Sequence, residues 1–396
     1  MPISFSGLNL RVGALFASHF FGFGLYLPFF PLVLEDRGLS LADIGFLLGL
    51  STIVRIAANP VMTGLSDKSG RRRFSILIYS LCAAGFLVGF LTTDGIVSAF
   101  VGVIGLVMFW SPVVPLSDAY ALDVARNTGA DYARMRLWGS VGFVLATIIG
   151  GLMAGEEGSS FVTLGILFGV LSTGVIAISL PGQHVPGSDG GSDAGNAKPA
   201  LFARPWFWAL LCAAGLLQAT HAAYYGFGTL FWRAAGIPDF EIGLLWAIGV
   251  AAEIVLFTFA GRLTQRFGPV RFLLAAAIAS AIRWSLFPLF DSFAAAAALQ
   301  LLHGLSFGAA HLGIVGYLAR VVPPKWAATG QGLSAASIGI QTAAGLALSG
   351  LLFEWNTAYP FWAMAAASGF ALLLLVVISP MLQNRLVANA QAAGAA

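Results

Sequence analysis

Residues 64 to 73 read Gly64-Leu65-Ser66-Asp67-Lys68-Ser69-Gly70-Arg71-Arg72-Arg73, a compact charged turn set between two long apolar runs. A weaker copy recurs 198 residues later, half the length of the chain. At that offset Ile44-Gly45 falls on Ile242-Gly243, Arg55 on Glu253, Lys68 on Arg266, Gly70 on Gly268 and Arg73-Phe74 on Arg271-Phe272. Similarity at one long, fixed period is the mark of an internal duplication, so two related halves are expected.

The surroundings of the block say where those halves live. Of 396 residues, 58% are hydrophobic and 9% are charged, and the mean hydropathy is +0.87. A soluble domain carries about 25% charged residues to keep its surface wet, so the chain reads as an integral membrane protein in contact with the lipid bilayer. Its length allows about a dozen spans of ~20 residues, and the loops left over are too short for a soluble catalytic domain. The net charge is +3 and the pI is near 9.0, but the basic residues are scattered among span ends, which speaks against nucleic-acid binding. Cys82 and Cys212 both lie inside apolar runs, and no CxxC or Cys/His ligand spacing occurs, so no disulfide, metal or cofactor is expected. The first apolar run, about 10–34, is longer than a signal-peptide core and has no small-residue cleavage site behind it, so it is expected to be retained as a span.

Cutting at charges, glycines and prolines gives twelve spans: 10–34, 42–64, 73–93, 97–123, 135–155, 160–180, 205–233, 241–263, 271–290, 293–320, 327–353 and 358–380. In lipid the backbone must satisfy its own hydrogen bonds, so runs of this length are helices and the fold class is all-α. Of the 20 Lys and Arg residues, only Arg37 and Arg233 fall in the outer loops and only Arg55 and Arg283 inside spans; the rest gather on one side. By the positive-inside rule that side is cytoplasmic and holds both termini. The small loops point to a bacterial inner membrane. Residues 181–204 break the pattern with Pro181, Pro186, Gly187, Gly190, Gly191 and Gly195, reading as a flexible cytoplasmic tether between a half at 1–180 and a half at 205–396.

With its place between spans 2 and 3, the Gly64 to Arg73 block resembles the loop signature of the major facilitator superfamily, Gly-x-x-x-Asp-(Lys/Arg)-x-Gly-(Lys/Arg)-(Lys/Arg). Together with the twelve spans and the repeat, the resemblance covers nearly the whole chain. It implies two six-helix halves around a central cavity lined mainly by spans 1, 2, 4, 5, 7, 8, 10 and 11, and secondary transport rather than enzyme activity. It also implies that Gly64, Asp67, Gly70 and Arg71, with Arg136 at the inner end of span 5, gate the cytoplasmic side through contacts made in one state only. Ordinary positive-inside anchoring is the other reading, above all for Arg72. An acidic residue in a basic inner loop does nothing for topology, which favours the gate for Asp67. The second copy has Gln265 where Asp67 stands, so a latch there would be weaker.

A narrower resemblance lies in Arg136-Leu137-Trp138-Gly139-Ser140-Val141-Gly142-Phe143, taken with Leu116-Ser117-Asp118-Ala119. These stretches are similar to the phenylpropionate permease subgroup, kin of the lactose and nucleoside proton symporters. Gly139 and Gly142 also permit close helix packing, which is the plainer explanation for them. The Gly/Pro-rich span 5 signature of proton-driven drug exporters is incomplete: Gly150-Gly151 are present, but the span has no proline.

Charges at bilayer depth carry the most chemistry, since each costs roughly 2.5–3.5 kcal/mol at a helix centre. Four stand there: Arg55 in span 2, Asp118 in span 4, Glu253 in span 8 and Arg283 in span 9. They sum to zero, so mutual pairing alone would account for them. Against that, Arg55 and Glu253 occupy equivalent positions near mid-span in the two repeats, where transporters of this build place their site. Glu253 is the expected proton carrier, because an apolar bundle favours a neutral carboxyl and a neighbouring Arg283 favours a charged one; making and breaking that pair would change proton affinity.

Polar and small residues then mark the faces that line a cavity. In span 10, Gln300, His303, Gly304, Phe307, Gly308 and His311 form one helical stripe. His303 is a second candidate for proton coupling. Span 7 offers Gln218, His221 and Tyr225, span 1 offers His19, Phe23, Tyr26 and Phe30, and span 11 offers Gln331, Ser334 and Gln341; interhelical hydrogen bonding is the alternative for each. Trp110, eight residues before Asp118, would either stack on a ring-shaped substrate or simply pack. The substrate-contacting set is thus Arg55, Asp118, Tyr26, His221, Tyr225, Trp110 and Gln341.

The expected function is proton-coupled symport of a small organic solute by a monomer. An arginine left unpaired beside the aromatic stripe would suit an aromatic carboxylate. If Asp118 and Glu253 consume both arginines, a sugar or nucleoside fits better. Export of drugs or metabolites by proton antiport is the nearest rival. A membrane-embedded metal enzyme finds little support in Asp118 and Asp123, two carboxylates five residues apart without HExxH, GxSxG or an Asp-rich cluster.

Overall fold

The computed structural model describes residues 7–154, 158–182 and 200–394. Glu156 and Glu157, and most of the expected tether 181–204 including Lys198, lie outside the described residues. Fourteen α-helices follow in chain order: α1 (Gly7–Asp36), α2 (Leu41–Ser69), α3 (Arg72–Thr92), α4 (Ile96–Trp110), α5 (Val113–Thr128), α6 (Tyr132–Met153), α7 (Gly158–Ser179), α8 (Pro205–Ala219), α9 (Ala222–Ala234), α10 (Asp239–Leu286), α11 (Phe293–Leu301), α12 (Ala310–Val321), α13 (Ala327–Trp355) and α14 (Tyr359–Gly394). Between α11 and α12 lies a π-helical stretch, Gly304–Ala309.

Eleven segments of the described residues are long and apolar enough to cross a membrane, and one of them, Asp239–Leu289, has 51 residues. At about 1.5 Å per residue that segment would be more than twice as long as a ~30 Å hydrocarbon core is thick. Gly268, with φ 74° and ψ 163°, interrupts it just before Pro269, so it makes two crossings, which brings those among the described residues to twelve. Three spans expected to be continuous are broken: span 4 at Ser111-Pro112, span 7 at Thr220-His221, and span 10 at Leu302-His303.

The duplication extends into backbone detail. Gly70 closes α2 with φ 63°, and Gly268, its partner at the offset of 198, has φ 74°. After α1, Gly38 N donates to Glu35 O (2.8 Å) and Leu39 N to Leu34 O (3.2 Å); after α9, Gly236 N donates to Arg233 O (3.0 Å) and Ile237 N to Trp232 O (3.0 Å). Both are Schellman caps with glycine at positive φ, 80° and 82°, and they stand at the same offset.

The described residues fall into two compact units, one drawn from Met1–Ser192 and Pro238–Ala247, the other from Asp193–Ile237 and Ile248–Ala396. In the first unit α1 is clasped between α6 and α7 through glycines. A Cβ on Gly142 would run into the carbonyl oxygen of Ala17, one on Gly169 would come 2.7 Å from Cα of Gly22, and one on Gly24 would come 2.7 Å from the carbonyl oxygen of Phe143. Small residues are what permit such backbone approach where lipid supplies no hydrophobic drive. The start of α10 belongs to this unit because Gly243 packs on the carbonyl of Thr147 and Gly151 meets Asp239 and Gly243. The second unit is built on a cluster that includes Phe207, Leu210, Leu273, Ala276, Ile314, Tyr317 and Leu375 from α8, α10, α12 and α14.

Candidate functional site

The second unit holds a buried polar cluster whose assembly begins with glycine. A Cβ on Gly304 would come 2.6 Å from the carbonyl oxygen of Ala252, and one on Gly308 would come 2.9 Å from Leu256, so these two glycines let α10 lie against the π-helical stretch. The neighbour of Ala252 is Glu253, and its Oε1 is thereby brought 2.6 Å from Nε2 of His303. The glycine edge of the span 10 stripe therefore packs on α10, whereas the sequence reading had it facing a cavity. Gln300 and His303 on the same stripe are buried at 0% and 4% exposure.

Hydrogen-bond chemistry assigns the protons within this cluster. Arg283 is fully buried, and its guanidinium can only donate. One N–H points at Nδ1 of His303 at 2.8 Å, so Nδ1 accepts, the ring hydrogen sits on Nε2, and Nε2 donates to Glu253. Arg283 also donates to Ser306 Oγ at 3.2 Å and to Oε1 of Gln300, whose amide nitrogen donates to the Tyr224 hydroxyl at 2.8 Å. His221 takes the opposite tautomer, with Nδ1 donating to the carbonyl of Gln218 (3.2 Å) and Nε2 accepting from Ser306 (3.2 Å). Rings of Trp284 and Tyr224 lie 4.4 and 5.0 Å from the guanidinium carbon, adding cation–π attraction.

Glu253 and Arg283 thus meet through an imidazole, whereas the sequence suggested a direct pair. Each histidine sits where its span is broken, His221 between α8 and α9 and His303 at the start of the π-helical stretch. Ser306 and Tyr224 join the cluster without having been singled out. A π turn departs from the 3.6-residue period, so Ser306 lies off the stripe that an α-helical reading draws. Tyr225 packs its ring 5.8 Å from that of His221. Gln341 stands apart from these contacts, donating to Ser337 on its own helix and lying against Gly215.

In the first unit the span 1 stripe forms an aromatic surface. Tyr26 stacks on Phe30 at 4.9 Å, and Trp110, the last residue of α4, meets His19, Phe23 and Tyr26 at 5.2, 6.2 and 5.7 Å. Arg55, exposed at mid-α2, is within electrostatic reach of Tyr26. Asp118 does not pair with Arg55 in any contact described. It accepts from the Tyr132 hydroxyl at 2.9 Å and lies 3.8 Å from Arg136, which joins an expected substrate residue to an expected gating residue. Arg136 also covers the Phe20 ring at 4.1 Å.

At the α2–α3 turn of this unit Arg72 bridges Asp67 (3.3 Å) and Asp123, and Asp123 also accepts from Arg126 at 2.8 Å. Gly70 gives the turn its left-handed residue, and its N–H donates to the carbonyl of Asp67 at 3.1 Å. Gly64 has nothing within 4 Å of where a Cβ would stand. Arg71, with Arg72, Arg73 and Tyr120, lines a cavity of about 190 Å³. Among the described residues no three His, Cys, Asp or Glu side chains converge as metal ligands.

A family model described as the MFS_1 like family matches residues 13–364. The chain belongs to that family. It is a multi-pass membrane transporter of the major facilitator superfamily, and its relatives are transporters rather than enzymes. It is 28% identical over 368 residues to the "Probable 3-phenylpropionic acid transporter" of Escherichia coli (strain K12), an alignment covering 92% of this chain and 96% of the relative. It is 29% identical over 363 residues to the "Maltose permease" of Geobacillus stearothermophilus, covering 90% and 91%. The crystal structure of the nucleoside transporter NupG superposes with a TM-score of 0.79 at 17% identity, covering 95% of this chain and 99% of that one, which shows a shared major facilitator fold.

Proposed function

We propose that this transporter is a proton-driven symporter of the bacterial inner membrane, with both termini cytoplasmic, that takes up a small organic acid with an aromatic body. The observation that carries the proton coupling is the buried chain Glu253–His303–Arg283. A fully buried guanidinium needs a counter-charge. Glu253 supplies it through the imidazole, so protonating Glu253 leaves Arg283 uncompensated and favours a different arrangement of the cluster. Substrate and proton then bias one two-state equilibrium, and each can drive the other through its differential affinity for the two states. In this account Glu253 carries the proton, while His303 and Arg283 set its environment. Asp67, Arg72 and the Gly64 and Gly70 turn, with Arg71 and Arg136, act as the cytoplasmic gate.

The aromatic acid is supported by the His19, Phe23, Tyr26 and Trp110 surface, by the two cations near it, Arg55 and Arg136, and by the similarity to a probable 3-phenylpropionic acid transporter. One observation favours a second reading. Both terminal nitrogens of Arg283 donate to His303, Ser306 and Gln300, and its buried Nε is left without a partner, so a ligand held at that cluster would meet a single N–H, which suits a neutral solute such as a sugar or nucleoside. Uptake by proteoliposomes under an imposed pH gradient, comparing 3-phenylpropionate with uridine and a galactoside, decides between them. Saturable accumulation of the acid is expected, and accumulation of only the neutral solutes would reject it.

A further inference from the structure

In the first unit two polar side chains are buried beside each other with their nitrogens unanswered. His19 is 5% exposed and Trp110 4%, and neither Nδ1 of His19 nor Nε1 of Trp110 has a hydrogen-bond partner. Their ring centroids are 5.2 Å apart. Sequence and packing hold them there: Gly22, one turn after His19, lets the indole lie against α1, where a Cβ would come 3.1 Å from Cζ2 of Trp110. The break at Ser111-Pro112 ends α4 directly after Trp110, and Ser111 Oγ donates to Oδ1 of Asn59 at 2.8 Å, fixing that corner.

A buried donor without an acceptor is costly, and with the ring hydrogen of His19 on Nδ1 the two nitrogens are adjacent donors that select a ligand presenting two acceptors a short distance apart. An indole N–H is only a donor, and the imidazole donates from Nδ1 in the Nδ1–H tautomer and when protonated. The partly exposed rings of Phe20, Phe23 and Tyr26 surround the pair, and Arg136 lies within electrostatic reach of His19. A carboxylate offers two oxygens to two donors, and an aromatic ring joined to it by a short chain would stack among Phe23, Tyr26 and Trp110.

We infer that His19 and Trp110 are the specificity-determining donors of the first unit, their ring N–H groups receiving the carboxylate of an aromatic acid substrate. The assignment rests on the symport reading above and gives it two residues outside the Glu253 cluster. Hydrogen bonding selects the acid over its neutral analogue, while Phe20, Phe23 and Tyr26 hold both equally. Trp110→Phe keeps the ring and removes the donor, as does His19→Phe; His19→Asn restores a donor.

The test is equilibrium binding of 3-phenylpropionate and of 3-phenyl-1-propanol to the purified protein in nanodiscs. Trp110→Phe and His19→Phe should each weaken binding of the acid by on the order of tenfold, as expected for a lost hydrogen bond to a charged group. The alcohol should change by less than about twofold, since it offers a single neutral oxygen. His19→Asn should recover part of the loss. Equal losses for acid and alcohol, or unchanged binding of both, would show that the two nitrogens serve packing alone and overturn the assignment. Failure of the unsubstituted protein to bind 3-phenylpropionate would overturn the substrate reading and this assignment with it, whereas binding retained by both variants overturns this assignment only.

Discussion

His303 stands with Nε2 2.6 Å from Oε1 of Glu253, and its opposite nitrogen takes an N–H of Arg283. A guanidinium cannot accept, so the imidazole has no lone pair left for an incoming proton while Arg283 keeps its place. The ring thus lies between the two charged groups and is bonded to both. This divides the labour in the cluster: a carboxylate that can gain a proton, a cation that cannot lose its charge, and a neutral linker between them.

The linker makes a sharp prediction. In His303→Gln the amide oxygen can accept from Arg283 and the amide nitrogen can donate to Glu253, so pH-driven accumulation should persist in reduced form. His303→Leu removes one hydrogen bond from each charged partner, at about 1.5–3 kcal/mol for each lost charged hydrogen bond, and should abolish it. Accumulation assays with both variants check this. Equal loss in the two would mean that His303 carries the proton itself.

Arg283 is fully buried and holds His303, Ser306 and Gln300 together. Replacing one member of a buried charged network is expected to destabilise by about 3–5 kcal/mol. Arg283→Met should therefore lower the melting temperature of the purified protein by on the order of 10 °C. A melting curve unchanged from that of the unsubstituted protein would show that the cluster contributes little to the fold.

Three glycines separate packing from gating. A side chain on Gly142 meets the Ala17 carbonyl, and one on Gly304 meets the Ala252 carbonyl, so Gly142→Val and Gly304→Val should each destabilise by about 1–3 kcal/mol and lower the yield of folded protein. Gly64→Val meets nothing in this arrangement of the chain and should fold normally. Size-exclusion profiles and melting curves give the comparison, and if Gly64→Val folds but transports poorly, Gly64 acts in the gate.

Arg72 is shared between Asp67 and Asp123. If the inner network is a latch, Asp67→Asn and Asp123→Asn should each slow transport, and the double variant should be little worse than either, because contacts through one common partner are not additive. Initial uptake rates read this directly. Additive effects, or an altered orientation of the inner loop in accessibility labelling, would assign these residues to membrane anchoring.

Much of the fold was legible because lipid leaves the backbone few choices. The twelve crossings, the offset of 198 and the charged turn at Gly64 to Arg73 all follow from patterns that survive in one dimension. The breaks were not, since all three interrupted spans were expected to be continuous. Pro112 marks the interruption of span 4, but Ala219-Thr220-His221-Ala222 has neither glycine nor proline, and only the fold reveals the break in span 7. Glu253, Arg283 and His303 stand out as ionisable groups in apolar runs. Their order in space does not, since the sequence carries no sign that an imidazole separates the two charges. Asp118 and Arg136 likewise come from different spans and meet where the end of α5 and the start of α6 are joined by a tight turn at Gly129, φ 70°. Ser306 was hidden by the π turn, which shifts it onto the buried face.

The central claim is that Glu253 is the group whose protonation powers transport. Its most direct test is accumulation of 3-phenylpropionate by proteoliposomes carrying the Glu253→Gln variant, acidic outside, beside counterflow exchange in the same vesicles without a pH gradient. The account predicts that accumulation is lost while exchange continues, because an amide binds the cluster as a permanently neutral carboxyl would. Accumulation by Glu253→Gln to the level of the unsubstituted protein would contradict it.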